Sequence, residues 1–103
     1  MSRYVLMPSA KEDLAGIRDY YLAEAGYRVA RQMAVEFGDA FRFLARTPGA
    51  GHVRQDLAED RPILFWPLRD YLILYKPATR PLEILSIFRG SRDVPALIGR
   101  RKL

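Results

Sequence analysis

The sequence between residues 71 and 89 reads Tyr71-Leu72-Ile73-Leu74-Tyr75-Lys76, then Pro77-Ala78-Thr79-Arg80-Pro81, and after Leu82 it continues as Glu83-Ile84-Leu85-Ser86-Ile87-Phe88-Arg89. The two apolar runs are short and rich in β-branched and aromatic residues. Prolines, which cannot donate a hydrogen bond to a strand ladder, interrupt the sequence between them. These features predict a β-hairpin at the centre of a sheet.

Both faces of this predicted hairpin are mostly apolar. Because side chains alternate along a strand, Tyr71, Ile73 and Tyr75 are expected on one face and Leu72 and Leu74 on the other. In the second strand, the same rule places Ile84, Ser86 and Phe88 on one face and Leu85 and Ile87 on the other. The strands of a sheet with one solvent-exposed face would alternate polar with apolar residues. We therefore expect a cover on each face, supplied by the chain or by a partner, and an isolated chain that is poorly soluble or dimeric.

The composition is that of one folded domain. Half of the 103 residues are hydrophobic and 28% are charged, which is typical of a globular chain with a single core. There is no cysteine and His52 is the single histidine, so no disulfide and no zinc site is expected. No signal peptide or membrane span is recognisable. We expect one domain over residues 1–103, in the cytoplasm, with no cofactor and no membrane association.

The net charge of +5 is concentrated towards the C-terminal end. Residues 1–88 carry twelve Lys and Arg against eleven Asp and Glu. Nearly all of the excess comes from Arg89, Arg92, Arg100, Arg101 and Lys102, against Asp93 alone. A basic patch of this kind can contact nucleic acid, an acidic protein surface or only water.

The rest of the chain predicts a strand, two helices and a third strand. Residues 3–7 form a short apolar run that Pro8 ends, and Ser9 with Glu12 has the form of a capping box, which predicts a helix from about Ala10. Gly26 can cap the end of that helix. Apolar residues at helical spacing over 27–46 predict a longer second helix, so that the two form a helical hairpin over one face of the sheet.

Residues 61–66 predict the third strand, followed by a turn over 67–70. After the central hairpin, Asp93 can cap a helix start and Pro95 suits a first helical turn, which predicts a short C-terminal helix or tail. The predicted order is β-α-α-β-β-β.

Two sequence motifs accompany this order of elements. The motifs are the strand over residues 70–75 and the segment Ile87-Phe88-Arg89-Gly90-Ser91-Arg92-Asp93, and Arg54 and Leu57 lie in the loop that precedes the third strand. The chain resembles the ParE branch of the RelE/ParE superfamily of type II toxin-antitoxin systems. The resemblance implies an α+β fold with a small, mainly antiparallel sheet. It also implies a hetero-oligomer with a cognate ParD-like antitoxin, whose C-terminal segment would cover the second face of the sheet.

The superfamily divides by target. RelE-like members cut messenger RNA on the ribosome with Lys and Arg side chains and a Tyr or His, whereas ParE-like members bind and poison DNA gyrase. Alignment of Leu85-Ser86-Ile87 with the nuclease branch places Gly90 and Ala96 where that branch has its catalytic Arg and Tyr. Acid-base cleavage needs a group that exchanges protons near neutral pH, which arginine does not.

The resemblance therefore implies a gyrase inhibitor that is not an enzyme and has no catalytic residues. Two alternatives stay open. One is a RelE-like ribosome-dependent mRNA endonuclease, and the other is a non-toxic, basic nucleic-acid-binding module. His52 is a candidate proton carrier for the first of these, although a single histidine in a loop is more often a surface residue.

Two sets of residues are candidates for binding. The expected target contact consists of Arg89, Arg92, Arg100, Arg101 and Lys102. Arginine offers planar, bidentate donors to phosphates and carboxylates, but these side chains can also serve the turn backbone or a helix C-terminus. The expected antitoxin contact consists of Tyr20, Phe65, Trp66 and Tyr75, since large aromatic side chains anchor partners. Core packing is the favoured role of the last three. Tyr20 cannot face the core together with Tyr21, so it is either an exposed partner contact or an ordinary surface residue.

Overall fold

The computed structural model describes residues 3–53, 62–90 and 93–103. Within them, four strands form one sheet: β1 (Tyr4–Leu6), β2 (Leu64–Leu68), β3 (Tyr71–Lys76) and β4 (Leu82–Arg89). The strand order is β1-β4-β3-β2, with β1 parallel to β4 and the other pairs antiparallel. The predicted hairpin is confirmed as the central pair, β3 and β4.

Two helices, α1 (Pro8–Ala25) and α2 (Tyr27–Arg46), form the predicted helical hairpin. Gly26 joins them with a φ of 87°, a conformation that glycine adopts without steric cost. The capping box was wrong: α1 begins at Pro8, its N-cap is Met7, and no side chain caps it. Proline is well suited to the first helical position because the N–H that it lacks has no partner there. A single 3-10 turn (Pro48–Ala50) follows α2.

The third strand is shifted towards the hairpin relative to the prediction. β2 runs through Pro67 to Leu68, and the turn contracts to Arg69 and Asp70, where Arg69 has a φ of 53°. Proline is tolerated in β2 because this is an outer strand of the sheet, where a residue without an N–H leaves no ladder partner unpaired.

The chain covers both faces of its own sheet. On one face, Phe37, Phe41 and Leu44 of α2 pack with Ile73 and other strand residues in the larger core. On the other face lies a C-terminal helix, α3 (Val94–Arg101), which Asp93 caps by accepting the Ala96 N–H as predicted. Its residues Val94 and Ile98 pack with strand residues in a second core, which contains Leu74, Leu85 and Phe88. Of the two expected sources of a second cover, the chain or a partner, the chain itself supplies it.

A β-bulge changes the alternation of β4. Leu74 pairs with Ser86 while Tyr75 pairs with Ile84, so Leu85 is an extra residue. After it, Ile87 belongs to the larger core with Ile84, and Phe88 belongs to the second core with Leu85. The predicted alternation of β4 was wrong beyond the bulge, because one inserted residue reverses the faces of those that follow.

None of the helices in the described part of the chain is long and apolar enough to cross a membrane.

Candidate functional site

A cleft of about 300 Å³ opens beside β4, at the point where β1 ends. β1 pairs with residues 82–84 only, so among the described residues no strand adjoins the rest of this edge. The walls are residues between 12 and 20 of α1, residues 87–89 of β4, Tyr71 and Arg101. We call this the β4 cleft.

Asp13 lies at the inner end of the β4 cleft. Its Oδ2 accepts the backbone N–H of Ile87 at 2.9 Å and Nη1 of Arg101 at 2.8 Å. The same Arg101 nitrogen donates to Ser86 Oγ at 3.0 Å, and the guanidinium lies 4.9 Å from the centre of the Phe88 ring. The Asp13 side chain is only 12% exposed. One largely buried ion pair thus joins α1, β4 and α3.

Arg89 lies at the outer end of the β4 cleft. It is exposed at the last position of β4, and its guanidinium carbon is 5.8 Å from the centre of the Tyr20 ring, within the range of a cation-π contact. Among the described residues, no carboxylate lies within ion-pair distance of it. Arg89 therefore presents free donors to an approaching acidic or phosphate-bearing surface.

Tyr71 forms part of the wall between these two arginines. Burial raises the pKa of Tyr71 to about 12. The hydroxyl is therefore protonated near neutral pH. The described lining of the β4 cleft contains neither histidine nor lysine. The lining does contain two carboxylates, those of Glu12 and Asp13.

His52 lies at the opposite edge of the sheet. Its backbone exchanges hydrogen bonds of 2.8 and 2.9 Å with Phe65 of β2. Its ring stacks on Trp66, with 6.2 Å between the ring centres. The single histidine is therefore separated from the β4 cleft by the width of the sheet.

Comparison with known proteins identifies the family of this chain. The family model for the ParE toxin of the type II toxin-antitoxin system parDE matches residues 4–94. The chain belongs to the ParE toxin family. No curated protein matches it. A solved structure titled "Chromosomal ParDE TA system from P. aeruginosa" has a chain with a TM-score of 0.71 and 20% identity, and the match covers 86% of this chain and 96% of that one. The predicted ParE-like resemblance and the α+β fold are confirmed.

In this ParE-family chain, the predicted target residues do not share one environment. Arg100 and Lys102 are exposed on and just after α3, without an ion pair among the described residues, whereas the Arg101 side chain is 27% exposed and paired with Asp13. Lys102 ends the helix in a left-handed conformation with a φ of 58°. Arg92 lies outside the described residues, as do Arg54 and Leu57.

The predicted antitoxin residues separate in the same way. Tyr20 is 47% exposed and lines the β4 cleft, whereas Phe65 and Tyr75, at 1% and 0% exposure, have no surface to offer a partner. Trp66 is half-buried between Phe43 and His52 at the far edge of the sheet. Only Tyr20 and Trp66 are thus positioned for direct contact.

Asp13 was not among the residues predicted from the sequence. It lies three residues after Ala10 and four before Ile17, which are the two buried residues of α1. An ionisable residue on the buried stripe of a helix needs a partner, because burying an unpaired charge is costly. Its position on that stripe was the signal available in the sequence.

Proposed function

We propose that this ParE-family toxin inhibits DNA gyrase by binding, catalyses no reaction of its own, and is neutralised by a cognate ParD-like antitoxin. The observation that carries the proposal is the chemistry at two positions where the RelE branch has catalytic residues. Gly90 follows the last residue of β4 and has no side chain, and Ala96 is exposed in the first turn of α3. Neither can position a phosphate or move a proton.

The basic residues at the end of β4 and of α3 are the proposed contact with the target. Arg89, Arg100 and Lys102 are exposed without ion-pair partners among the described residues, and Arg92 belongs to the same charged segment of the sequence. A cluster of like charges at one end of a domain accelerates encounter with an acidic or DNA-bound target.

The antitoxin is proposed to contact Tyr20. This exposed ring stands at the mouth of the β4 cleft against Arg89, so a partner that covers it would also restrict access to that arginine. Exposed tyrosines suit partner contacts, since they combine a large apolar surface with a polar group. Trp66 is a second candidate contact at the other edge of the sheet.

A gyrase assay tests the proposal directly. The purified chain is added to gyrase and relaxed plasmid, and separately to ribosomes translating a defined messenger RNA. We expect loss of supercoiling or trapped DNA breaks, intact transcripts, and recovery when the antitoxin is added. Transcripts cut within codons while gyrase works normally would overturn the proposal in favour of the endonuclease. Growth-neutral expression with salt-sensitive binding to nucleic acid would favour the non-toxic module.

Substitution of the exposed cations tests the contact surface. Arg89→Ala combined with Arg100→Ala and Lys102→Ala should weaken growth inhibition by at least about tenfold, since few residues carry most of the energy of an interface. Arg28→Ala with Arg31→Ala and Lys11→Ala is the matched control, because it removes the same number of arginines and lysines at exposed positions of α1 and α2. Both sets should leave the melting temperature nearly unchanged. Full toxicity of the first set would place the contact elsewhere.

A further inference from the structure

We propose that Asp13 is a positioning residue that fixes the C-terminal end of α3, and with it the basic residues that α3 carries. The observation is the single carboxylate oxygen that accepts from Ile87 N at 2.9 Å and from Arg101 Nη1 at 2.8 Å. Asp13 thus links three elements through one atom, although it lies on α1 and Arg101 follows it by 88 residues.

The bond to Ile87 fixes the position of the carboxylate. The N–H of Ile87 lies on the edge of β4 beyond the last residue paired with β1, where no strand of the described chain satisfies it. A strand N–H left without a partner away from water is unfavourable, so the carboxylate takes the place of a neighbouring strand. The rigid sheet thereby determines where the negative charge of Asp13 is held.

The apolar contacts near the end of α3 do not orient it in the same way. Val94 and Ile98 belong to the second core and Leu103 packs against it, and apolar contacts have little directional preference. Hydrogen bonds to an ionised group are directional and stronger than neutral ones. Arg101 donates to Asp13 and to Ser86 and lies over Phe88, so three contacts orient its side chain. Arg101 therefore secures the end of α3, and the neighbouring Arg100 and Lys102 are left facing outward.

The positioning role gives the basic residues at the end of α3 two different tasks, and its consequence for toxicity rests on the proposed function. Arg101 belongs to the structure, whereas Arg100 and Lys102 are available to the target. A change at Asp13, which touches no target in this scheme, should then reduce toxicity through the placement of α3.

The experiment measures hydrogen exchange and toxicity in matched variants. Asp13→Asn keeps an oxygen for Ile87 but removes the charge that holds Arg101, and Arg101→Gln removes the other partner. Asp19→Asn is the control, since Asp19 is on the same helix and its side chain is 68% exposed. We expect exchange of the amides over residues 97–103 to rise at least about tenfold in both test variants, with exchange in α2 unchanged. The double variant should exchange no faster than either single variant.

Each outcome decides a separate claim. If the amides over residues 97–103 exchange no faster in Asp13→Asn and Arg101→Gln than in Asp19→Asn, the positioning role of Asp13 is overturned. Additive effects of the two changes in the double variant would overturn it as well. If Asp13→Asn unfolds completely, Arg101→Gln becomes the deciding variant, because the Arg101 side chain is the more exposed of the two partners. Faster exchange with full gyrase inhibition would uphold the positioning role while removing α3 from the proposed target contact.

Discussion

Tyr75 shows how one hydroxyl can fix a connecting segment. The hydroxyl donates to the Pro48 carbonyl at 2.6 Å and accepts the Gly51 N–H at 2.9 Å, and burial raises the pKa of this group. A methyl group on Gly51 would overlap the hydroxyl, which explains the glycine there. The sequence pattern correctly placed Tyr75 on the face with Tyr71 and Ile73, but no pattern could predict that its hydroxyl holds the turn after α2.

Removal of that hydroxyl should destabilise the fold. Tyr75→Phe loses two hydrogen bonds and leaves the Pro48 carbonyl and the Gly51 N–H without this partner, so we expect a loss of about 1–2 kcal/mol in the free energy of unfolding. Urea titration followed by circular dichroism measures it. Tyr20→Phe, at an exposed position, should change stability by less than about 0.5 kcal/mol. Equal effects of the two changes would contradict the role of Tyr75.

A second residue-level prediction concerns pH. Arg69 donates to both carboxylate oxygens of Glu36 at 2.7 Å, and this hydrogen-bonded pair lowers the pKa of Glu36 to about 2. A carboxyl with a lowered pKa stabilises the fold above its unfolded pKa of about 4.3, and this contribution disappears as the pH falls towards 2. Glu36→Gln should therefore be less stable than the parent near pH 7, with the difference shrinking below about pH 4.

Unfolding experiments over a range of pH measure this difference. Asp39→Asn provides the comparison, because Asp39 pairs with Arg42 on the exposed side of the same helix. A constant difference between Glu36→Gln and the parent from pH 7 to pH 2 would refute the assignment.

At the level of elements, the sequence predicted what depends on local pattern. The central hairpin and α2 were predicted because their apolar residues follow periods of two and of three to four. The bulge at Leu85 and the course of β2 through Pro67 depend on how strands pair, which no single segment encodes. The role of α3 as second cover was missed because its buried residues, Val94 and Ile98, make too short a stripe to stand out.

Removal of α3 should expose the second core. A chain that stops after Asp93 leaves Leu74, Leu85 and Phe88 uncovered and loses the burial of Val94 and Ile98, each worth about 1.5–3 kcal/mol. We expect a lower melting temperature, binding of an apolar dye and aggregation. A chain that stops after Gly99 keeps Val94 and Ile98 and loses residues 100–103, which include Arg101 and Leu103. It should be destabilised less, by about 1–3 kcal/mol. If the chain that stops after Asp93 had the melting temperature of the full-length protein, this account of α3 would be contradicted.

On the scale of the whole molecule, coverage of both faces alters the expected behaviour of the isolated chain. The sequence suggested poor solubility or dimers because two helices cover one face only. With α3 on the second face, the apolar surface that suggested dimers is covered, and we expect a monomer. Size-exclusion chromatography with light scattering measures the mass, and a stable dimer without antitoxin would contradict the expectation.

Part of the candidate site could be predicted from the sequence. The excess of charge identified Arg89 and the tail, and adjacency of Tyr20 and Tyr21 identified Tyr20 as exposed, since both properties can be counted along the chain. The meeting of Arg89, Tyr20 and Arg101 in one cleft depends on β1 ending early beside β4, which only the folded chain reveals.

The parallel pairing of β1 with β4 also determines when this fold can exist during synthesis. Residues 4–6 leave the ribosome early, but their partners at 82–84 are made only after both long helices and the rest of the sheet. Pairing of such distant segments is slow compared with local helix formation. A growing chain therefore presents its helical hairpin well before it completes the sheet or the surface proposed to be toxic.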